Sequence, residues 1–196
     1  MATNQTSVER VDDAVVRSFA RAAVLAALMG AAAVVGSIPI PFSPIPVSLG
    51  VLVIYLMGLY LGPVWGPASA GLYLTAGAVG LPVFANGASG IGVLVGDSAG
   101  YLWSYPIAAA LIGLIVHRGT ALRDLRSVRL PILVGALLAG TIVIYAMGTA
   151  YMAWLLEMEA WEAIAAGALP FIPGELLKIA AAVAIVRAGR ITSVRP

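Results

Sequence analysis

The distribution of arginine constrains this chain more than any other feature of its sequence. All ten arginines fall in three short stretches, at residues 10–21, 118–129 and 187–195, and the intervening chain is almost uncharged. The only lysine, Lys178, lies in the last apolar segment. Hydrophobic residues make up 61% of the 196 residues and charged residues only 10%. Because soluble domains are about 25% charged, the sequence predicts an integral membrane protein.

Six apolar segments follow the polar N-terminal residues 1–14. We place them at about residues 15–37, 47–61, 68–79, 99–116, 131–155 and 173–186, in a single transmembrane domain over residues 15–190 with a tail at 191–196. With six crossings, every arginine lies on the side of both termini, which the positive-inside rule makes cytoplasmic. If the second and third segments formed a single crossing, the basic 117–129 connector would lie outside, against the positive-inside rule. We therefore expect an all-α, six-helix transmembrane bundle, a multi-pass protein of the cell membrane with both termini cytoplasmic.

Three irregular segments would share the outer face of this bundle. They are a proline-rich stretch at 38–46, a glycine-rich stretch at 80–96 and an acidic connector that contains Glu157, Glu159 and Glu162. Irregular backbone at membrane depth is tolerated where it is buried in protein or lines a cavity. Three of the apolar segments are short, since 14 residues cover about 21 Å of a hydrocarbon core of about 30 Å. We expect an outward-facing pocket lidded by these loops; ordinary loops over a packed bundle are the alternative.

Glu175 and Lys178 form the most unusual pair in the apolar part of the chain. Their three-residue spacing puts both on one face of a helix that Pro173 begins. A cation so near a helix N-terminus opposes the helix dipole unless a partner offsets it. A charged pair in an apolar setting is a functional-site hypothesis by default. The alternative is an ion pair that joins the helix to a neighbour or reaches the interface.

Small residues recur at four-residue intervals along the first apolar segment. They form two parallel rows, one of Ala22, Ala26 and Gly30 and the other of Ala23, Ala27 and Ala31. Small residues at this interval let another helix approach closely. The rows fit either packing within the bundle or docking of a separate membrane subunit.

Several function classes are excluded by residue content. Residues 96–100 read G-x-S-x-G, but the only histidine, His117, lies nineteen residues beyond Ser98 on the same predicted helix, about 28 Å away. One histidine and no cysteine leave no credible zinc or haem site. The sole lysine follows leucine, so no P-loop is present. The basic residues form no continuous surface for nucleic acid. We expect no enzymatic activity, no cofactor and no nucleic-acid partner.

Five motifs occur in a fixed order along the chain. They are PIPFSPIPV at 39–47, LGP at 61–63, GAVGLPVFANG at 77–87, GYL at 100–102 and PFIPGELLK at 170–178. In this order they resemble the BioY family, the biotin-binding substrate components of energy-coupling-factor (ECF) transporters. The resemblance implies high-affinity biotin uptake, with biotin as the transported ligand, through a transmembrane scaffold subunit and two separate ATPase subunits. The alternatives are a component of the same architecture that binds another vitamin and a non-transport membrane protein.

The resemblance also implies site residues. Asn86, Glu175 and Lys178 would meet the polar head of biotin, whose ureido ring presents N–H donors and a carbonyl acceptor. Tyr101 and Phe84 would pack against the bicyclic ring or the valerate chain, unless they are simply core. The small-residue rows of the first helix resemble the face by which such components dock on the scaffold.

The sequence departs from the family pattern at three places. Glu175 stands where the family usually has aspartate, and Ser48-Leu49-Gly50 replaces Thr-Leu-Gln of many members. Gly-Asp-Ser-Ala-Gly at 96–100 replaces the usual Gly-Pro-Thr-Gly-Gly. Asp97 would repel a carboxylate, which leaves open how the valerate end is held. N-capping of the next helix by Asp97 or Ser98 is the alternative role.

Overall fold

The structure, a computed structural model, describes residues 12–38 and 43–189. Within these ranges the chain is almost entirely helical, as predicted. The helices are α1 (Asp13–Val35), α2 (Gly50–Ala78), α3 (Ala99–His117), α4 (Leu130–Leu155), α5 (Ala160–Gly167) and α6 (Ile172–Ala188). Two short antiparallel strands, β1 (Ser37–Ile38) and β2 (Val47–Ser48), close the proline-rich stretch at its base. Single 3-10 turns occur at Ala85–Gly87, Ile91–Val95, Leu125–Ser127 and Leu169–Phe171.

Five helical stretches of the described chain are long and apolar enough to cross a bilayer. They cover residues 13–35, 50–78, 99–117, 130–155 and 160–188. This count differs from the six predicted segments because α2 contains both the second and the third of them. The acidic connector, for which no helix was expected, forms α5 and the turn that leads into α6.

The helix α2 is interrupted at Gly62, whose φ of 72° and ψ of −167° are not helical. A methyl group built on Gly66 would lie 3.0 Å from the Met57 carbonyl oxygen. In an uninterrupted helix, residues nine positions apart are separated by about 13 Å. Residues 50–61 and 63–78 therefore lie side by side as a helical hairpin. Pro63 directly follows the break, where its missing N–H is not needed.

Contacts at one end of the bundle join the Gly62 turn to the basic connector. The His117 ring nitrogen Nε2 lies 2.9 Å from the Leu59 carbonyl oxygen, and Nδ1 accepts a 3.0 Å hydrogen bond from the Arg123 N–H. The Arg187 guanidinium donates 2.8 Å hydrogen bonds to the carbonyls of Arg126 and Val128. The end of α3, the end of α6 and residues 118–129 are thus on one side.

The two small-residue rows of α1 lie on different faces. Ala22 is fully buried, and its carbonyl accepts a 2.7 Å hydrogen bond from the Ser69 hydroxyl. Gly30 is buried against Val83, and Ala26 is partly buried against the core. This row packs inside the bundle, which does not support a docking role for it. The other row, Ala23, Ala27 and Ala31, is exposed.

Some residues used in the sequence predictions fall outside the described part of the chain. They are Arg10, Arg190 and Arg195, most of the 1–14 segment, the tail at 191–196 and residues 39–42 of the proline-rich motif. The remaining proline-rich residues include Pro44, Ile45 and Pro46, which line a cavity.

Candidate small-molecule site

A cavity of about 300 Å³ lies at the end of the bundle opposite the Gly62 turn. Residues from α1, the proline-rich stretch, the glycine-rich stretch, α3 and α4 form its wall. Its volume is at the lower end of the roughly 300–1,000 Å³ range of small-molecule sites. The proline-rich and glycine-rich segments therefore meet at one cavity, as the sequence indicated.

Aromatic side chains form much of this wall. Tyr73 and Phe84 pack edge to face with ring centroids 5.4 Å apart. Tyr145 packs between Tyr101 and Phe171, with centroid distances of 6.0 Å and 5.8 Å. Such a wall suits a flat, largely apolar ring system.

Both aromatic residues predicted for the site, Phe84 and Tyr101, line the cavity and are at the same time core residues. Phe84 is 1% exposed, and Tyr101 is 4% exposed. The Tyr101 hydroxyl donates a 2.8 Å hydrogen bond to the Gly167 carbonyl, so its ring is fixed in the wall.

Asn86 is positioned by a tight turn. The turn at Ala85–Gly87 is held by hydrogen bonds from the Phe84 N–H to the Ala88 carbonyl and from the Gly87 N–H to the Phe84 carbonyl, at 3.1 Å and 3.0 Å. Asn86 itself has a φ of 58°, a left-handed conformation that asparagine adopts more readily than most residues. It is exposed in the cavity wall, and its amide has no hydrogen bond to the described residues. An amide placed in this way can both donate to and accept from a ligand.

Glu175 and Lys178 form the buried pair that their spacing predicts. The Lys178 ammonium donates a 2.7 Å hydrogen bond to Glu175 Oε1, and the two residues are 6% and 3% exposed, respectively. The Tyr145 hydroxyl donates to the same oxygen at 2.9 Å, and the Tyr55 hydroxyl donates to Oε2 at 2.8 Å. The Tyr55 hydroxyl also lies 2.6 Å from that of Thr141.

This network leaves hydrogen-bonding capacity on both charged groups. A carboxylate offers about four acceptor positions, of which Tyr55, Tyr145 and Lys178 use three. The Lys178 ammonium uses one of its three protons within the described residues. One further donor to Glu175 and one further acceptor for Lys178 can be accommodated.

The predicted site residues are not all in the cavity wall. Phe84, Asn86 and Tyr101 line it, whereas Glu175 and Lys178 lie behind Tyr145. Glu175 also lines a second, apolar groove of about 240 Å³ between α4 and α6, together with Thr141 and Tyr145. Tyr145 therefore lies in the walls of both spaces.

The sequence reasoning missed the tyrosines of this network, Tyr55 and Tyr145. The available signal was the spacing of Thr141 and Tyr145, which puts two polar side chains on one face of an apolar helix. Tyr55 carried no such signal, since its link to Glu175 spans 120 residues of sequence.

The sequence alternative for Asp97 and Ser98, capping of the following helix, holds only for the position of Ser98. Ser98 holds the N-cap position of α3, but no side-chain hydrogen bond caps the helix there. Asp97 and Ser98 line the cavity instead, and Asp97 is exposed. Ser98 and His117 lie at opposite ends of α3, so the G-x-S-x-G match has no nearby base. The described residues also contain no cluster of three metal-ligating side chains.

The fold and the cavity define a multi-pass helical membrane protein with a small-molecule site at one end. The BioY family model matches residues 2–194, and the chain belongs to that family. This membership agrees with the expectation that the chain is part of a transporter and not an enzyme.

The chain is similar to several relatives and to a solved structure over most of their length. The biotin transporter BioY of Rhodobacter capsulatus is 38% identical over 166 residues, which cover 80% of this chain and 84% of the relative. The BioY of Thermotoga maritima is 32% identical, with coverage of 84% and 93%. A crystal structure of the S-component for biotin from an ECF-type ABC transporter is 27% identical, with a TM-score of 0.81 and coverage of 92% and 94%.

Proposed function

We propose that this chain captures biotin for uptake, as the membrane-embedded S component of an ECF-type transporter. The observation that carries the proposal is the fold match to a biotin S-component over 92% of the chain, and an aromatic cavity at one end of the bundle supports it.

The wall chemistry fits the two parts of biotin. The aromatic residues Tyr73, Phe84 and Tyr101 suit the fused bicyclic ring, and Asn86 suits the ureido group. Glu175 and Lys178 lie behind Tyr145, whose hydroxyl contacts Glu175. They therefore reach the same head group if the Tyr145 side chain moves aside. Glu175 then accepts from a ureido N–H and Lys178 donates to the ureido carbonyl.

Energy for transport would come from other polypeptides. The chain has no P-loop, so ATP hydrolysis belongs to two separate ATPase subunits joined through a transmembrane scaffold. The exposed row Ala23, Ala27 and Ala31 of α1 offers a smooth surface for a scaffold helix.

The proposed topology has six crossings, with the cavity outside and both termini in the cytoplasm. Counting the two arms of the α2 hairpin separately gives six crossings instead of five. The contacts of Arg187 with the 118–129 connector support a shared side for that connector and the C-terminal end. The positive-inside rule makes this side cytoplasmic.

The direct test is calorimetric titration of the purified, detergent-solubilised chain with biotin, with riboflavin and thiamine as controls. Stoichiometric binding of biotin alone is the expected result. Binding of another vitamin instead would reassign the ligand within the same architecture. No heat with any of them, from folded and ligand-free protein, would overturn the proposal.

A further inference from the structure

Asp97 is the only charged residue in the described wall of the cavity. The other polar groups in the wall, among them Ser48, Asn86 and Ser98, are neutral. The buried Lys178 ammonium lies behind Tyr145 and is engaged by Glu175. The arginines of the described residues lie toward the other end of the bundle, where Arg187 contacts the connector. A ligand in this cavity therefore meets a negative charge and no accessible positive one.

The surroundings of Asp97 leave its charge uncompensated. It is exposed and forms no hydrogen bond or ion pair with a described residue. The start of α3 would favour an anion through the helix dipole, but Asp97 immediately precedes the N-cap residue Ser98 and already supplies that anion. A second carboxylate brought to this place would be repelled by the first.

Asp97 and the Glu175–Lys178 pair lie on different sides of Tyr101 and Tyr145. Tyr101 lies one helical turn beyond Asp97 and packs on Tyr145, which contacts Glu175. If the ureido head approaches Glu175 and Lys178 past Tyr145, the valerate chain points back along Tyr101 to the exposed end of the cavity. Asp97 then faces the end of that chain.

We propose that Asp97 weakens the binding of the free carboxylate of biotin relative to forms whose carboxyl group is capped by an amide, so that the site accepts biotin and also biotin amides that are neutral or carry an amine. This inference rests on the proposed biotin-binding function and specifies its ligand class. Biotin joined to the ε-amino group of a lysine within a peptide belongs to this class.

Three ligands that differ in tail charge test the selectivity. They are biotin, which is anionic, biotinamide, which is neutral, and N-(2-aminoethyl)biotinamide, which is cationic. Their affinities are measured by calorimetry for the unchanged chain and for Asp97→Asn. Because exposed charge pairs are worth little, the variant should bind biotin about two- to fivefold more tightly. It should bind the amine about two- to fivefold more weakly and biotinamide about equally well.

Comparing the affinity ratios of the three ligands between the unchanged chain and the variant removes effects of ligand size and of folding. Glu162→Gln is the matched control, since Glu162 is an exposed carboxylate in α5 that does not line the cavity. It should leave all three affinity ratios unchanged. If Asp97→Asn fails to fold, the unchanged chain is titrated in about 0.02 M and about 0.5 M NaCl, because salt screens exposed charges. High salt should then narrow the difference between biotin and the amine.

The outcomes separate this inference from the proposed function. Equal affinity ratios in the unchanged chain and Asp97→Asn, or ratios insensitive to salt where that variant does not fold, would overturn the role of Asp97 while biotin binding stands. If none of the three ligands binds folded protein, the proposed function itself fails, and the inference fails with it.

Discussion

The Tyr145 hydroxyl donates a 2.9 Å hydrogen bond to Glu175 Oε1, while the Tyr145 ring lies in the cavity wall. This one side chain thus separates the cavity from the buried Glu175–Lys178 pair and is also hydrogen-bonded to it. Its ring is held between Tyr101 and Phe171. Any ligand group that reaches the charged pair from the cavity has to displace or replace this contact.

We expect Tyr145→Phe to keep the fold, to lower stability and to strengthen biotin binding, because the hydrogen bond that a ligand has to displace is gone. The ring packing stays, but Glu175 loses a hydrogen bond to a charged group, which is worth about 1.5–3 kcal/mol. Glu175 keeps Tyr55 and Lys178 as partners, so the loss should fall at the lower end. Biotin affinity should rise by up to about tenfold, measured by calorimetry alongside thermal unfolding in detergent.

Tyr151→Phe is the control for loss of a tyrosine hydroxyl on the same helix. Its hydroxyl makes an exposed 3.2 Å hydrogen bond to the Val95 carbonyl, so its removal should change stability by less than about 0.5 kcal/mol. Equal effects of the two substitutions on biotin affinity would contradict a special role for Tyr145.

We expect Lys178→Met to weaken biotin binding far more than it lowers the yield of folded protein. Removing one partner of a buried ion pair usually destabilises by about 3–5 kcal/mol because the other charge is left unpaired. Here the Glu175 carboxylate retains the Tyr55 and Tyr145 hydroxyls, which should reduce that penalty. Size-exclusion yield and calorimetry on the same preparation measure the two effects.

The neighbouring position provides the control for this substitution. Leu177 is 73% exposed, and Leu177→Met should change neither yield nor affinity. Unchanged biotin affinity in the surviving Lys178→Met protein, together with a collapsed yield, would show that the pair is structural.

The two rows of α1 should respond oppositely to a larger side chain. Ala27→Leu adds volume on an exposed face, so folding and biotin binding should persist while assembly with a scaffold subunit is lost. Ala22→Leu adds volume at a fully buried position, where overpacking costs about 1–3 kcal/mol or more. Thermal unfolding and co-purification with the scaffold subunit measure the two responses. Normal assembly of the Ala27→Leu protein would rule out this row as the docking face.

Much of the helical framework followed from the sequence because apolar length and arginine placement are local properties. The contact between Glu175 and Lys178 followed from their spacing for the same reason. The Glu175–Tyr55 and Glu175–Tyr145 contacts join distant segments, and no short-range pattern encodes them. The sequence also could not decide which row of α1 faces inward, because both rows consist of small residues.

At the position of the Gly62 hairpin, the sequence predicted only a break between two apolar segments. Gly-Pro pairs at 62–63 and 66–67 mark a break equally well, and the sequence interpretation began the third segment at about residue 68. The structure breaks at the first pair and continues helically through the second. Pro67 has no N–H to donate to the Pro63 carbonyl, so the arm after the break lacks that one helical hydrogen bond.

Gly62→Ala should therefore be strongly destabilising. The backbone conformation at Gly62 is one that only glycine adopts readily, and forcing another residue into it costs about 1–3 kcal/mol. The new methyl group would also lie 2.6 Å from Leu122 Cδ2. Gly71→Ala is the matched control, because Gly71 lies within the helix and a methyl group there meets nothing within 4 Å. Gly71→Ala should leave the stability measured by thermal unfolding unchanged or raise it by up to about 1 kcal/mol. Equal unfolding midpoints for Gly62→Ala and Gly71→Ala would argue against the hairpin.

The six-crossing topology can be tested cleanly because the chain contains no cysteine. Ser89→Cys lies in the glycine-rich stretch beside the cavity, and Thr120→Cys lies in the basic connector; both positions are exposed. A membrane-impermeant maleimide should label the first variant in intact cells and the second only after permeabilisation. Ile142→Cys, on the apolar outer surface of α4, should stay unlabelled in both conditions because a thiol within the hydrocarbon core does not ionise readily. Labelling of Thr120→Cys in intact cells would place the connector outside and would require residues 50–78 to cross the membrane once.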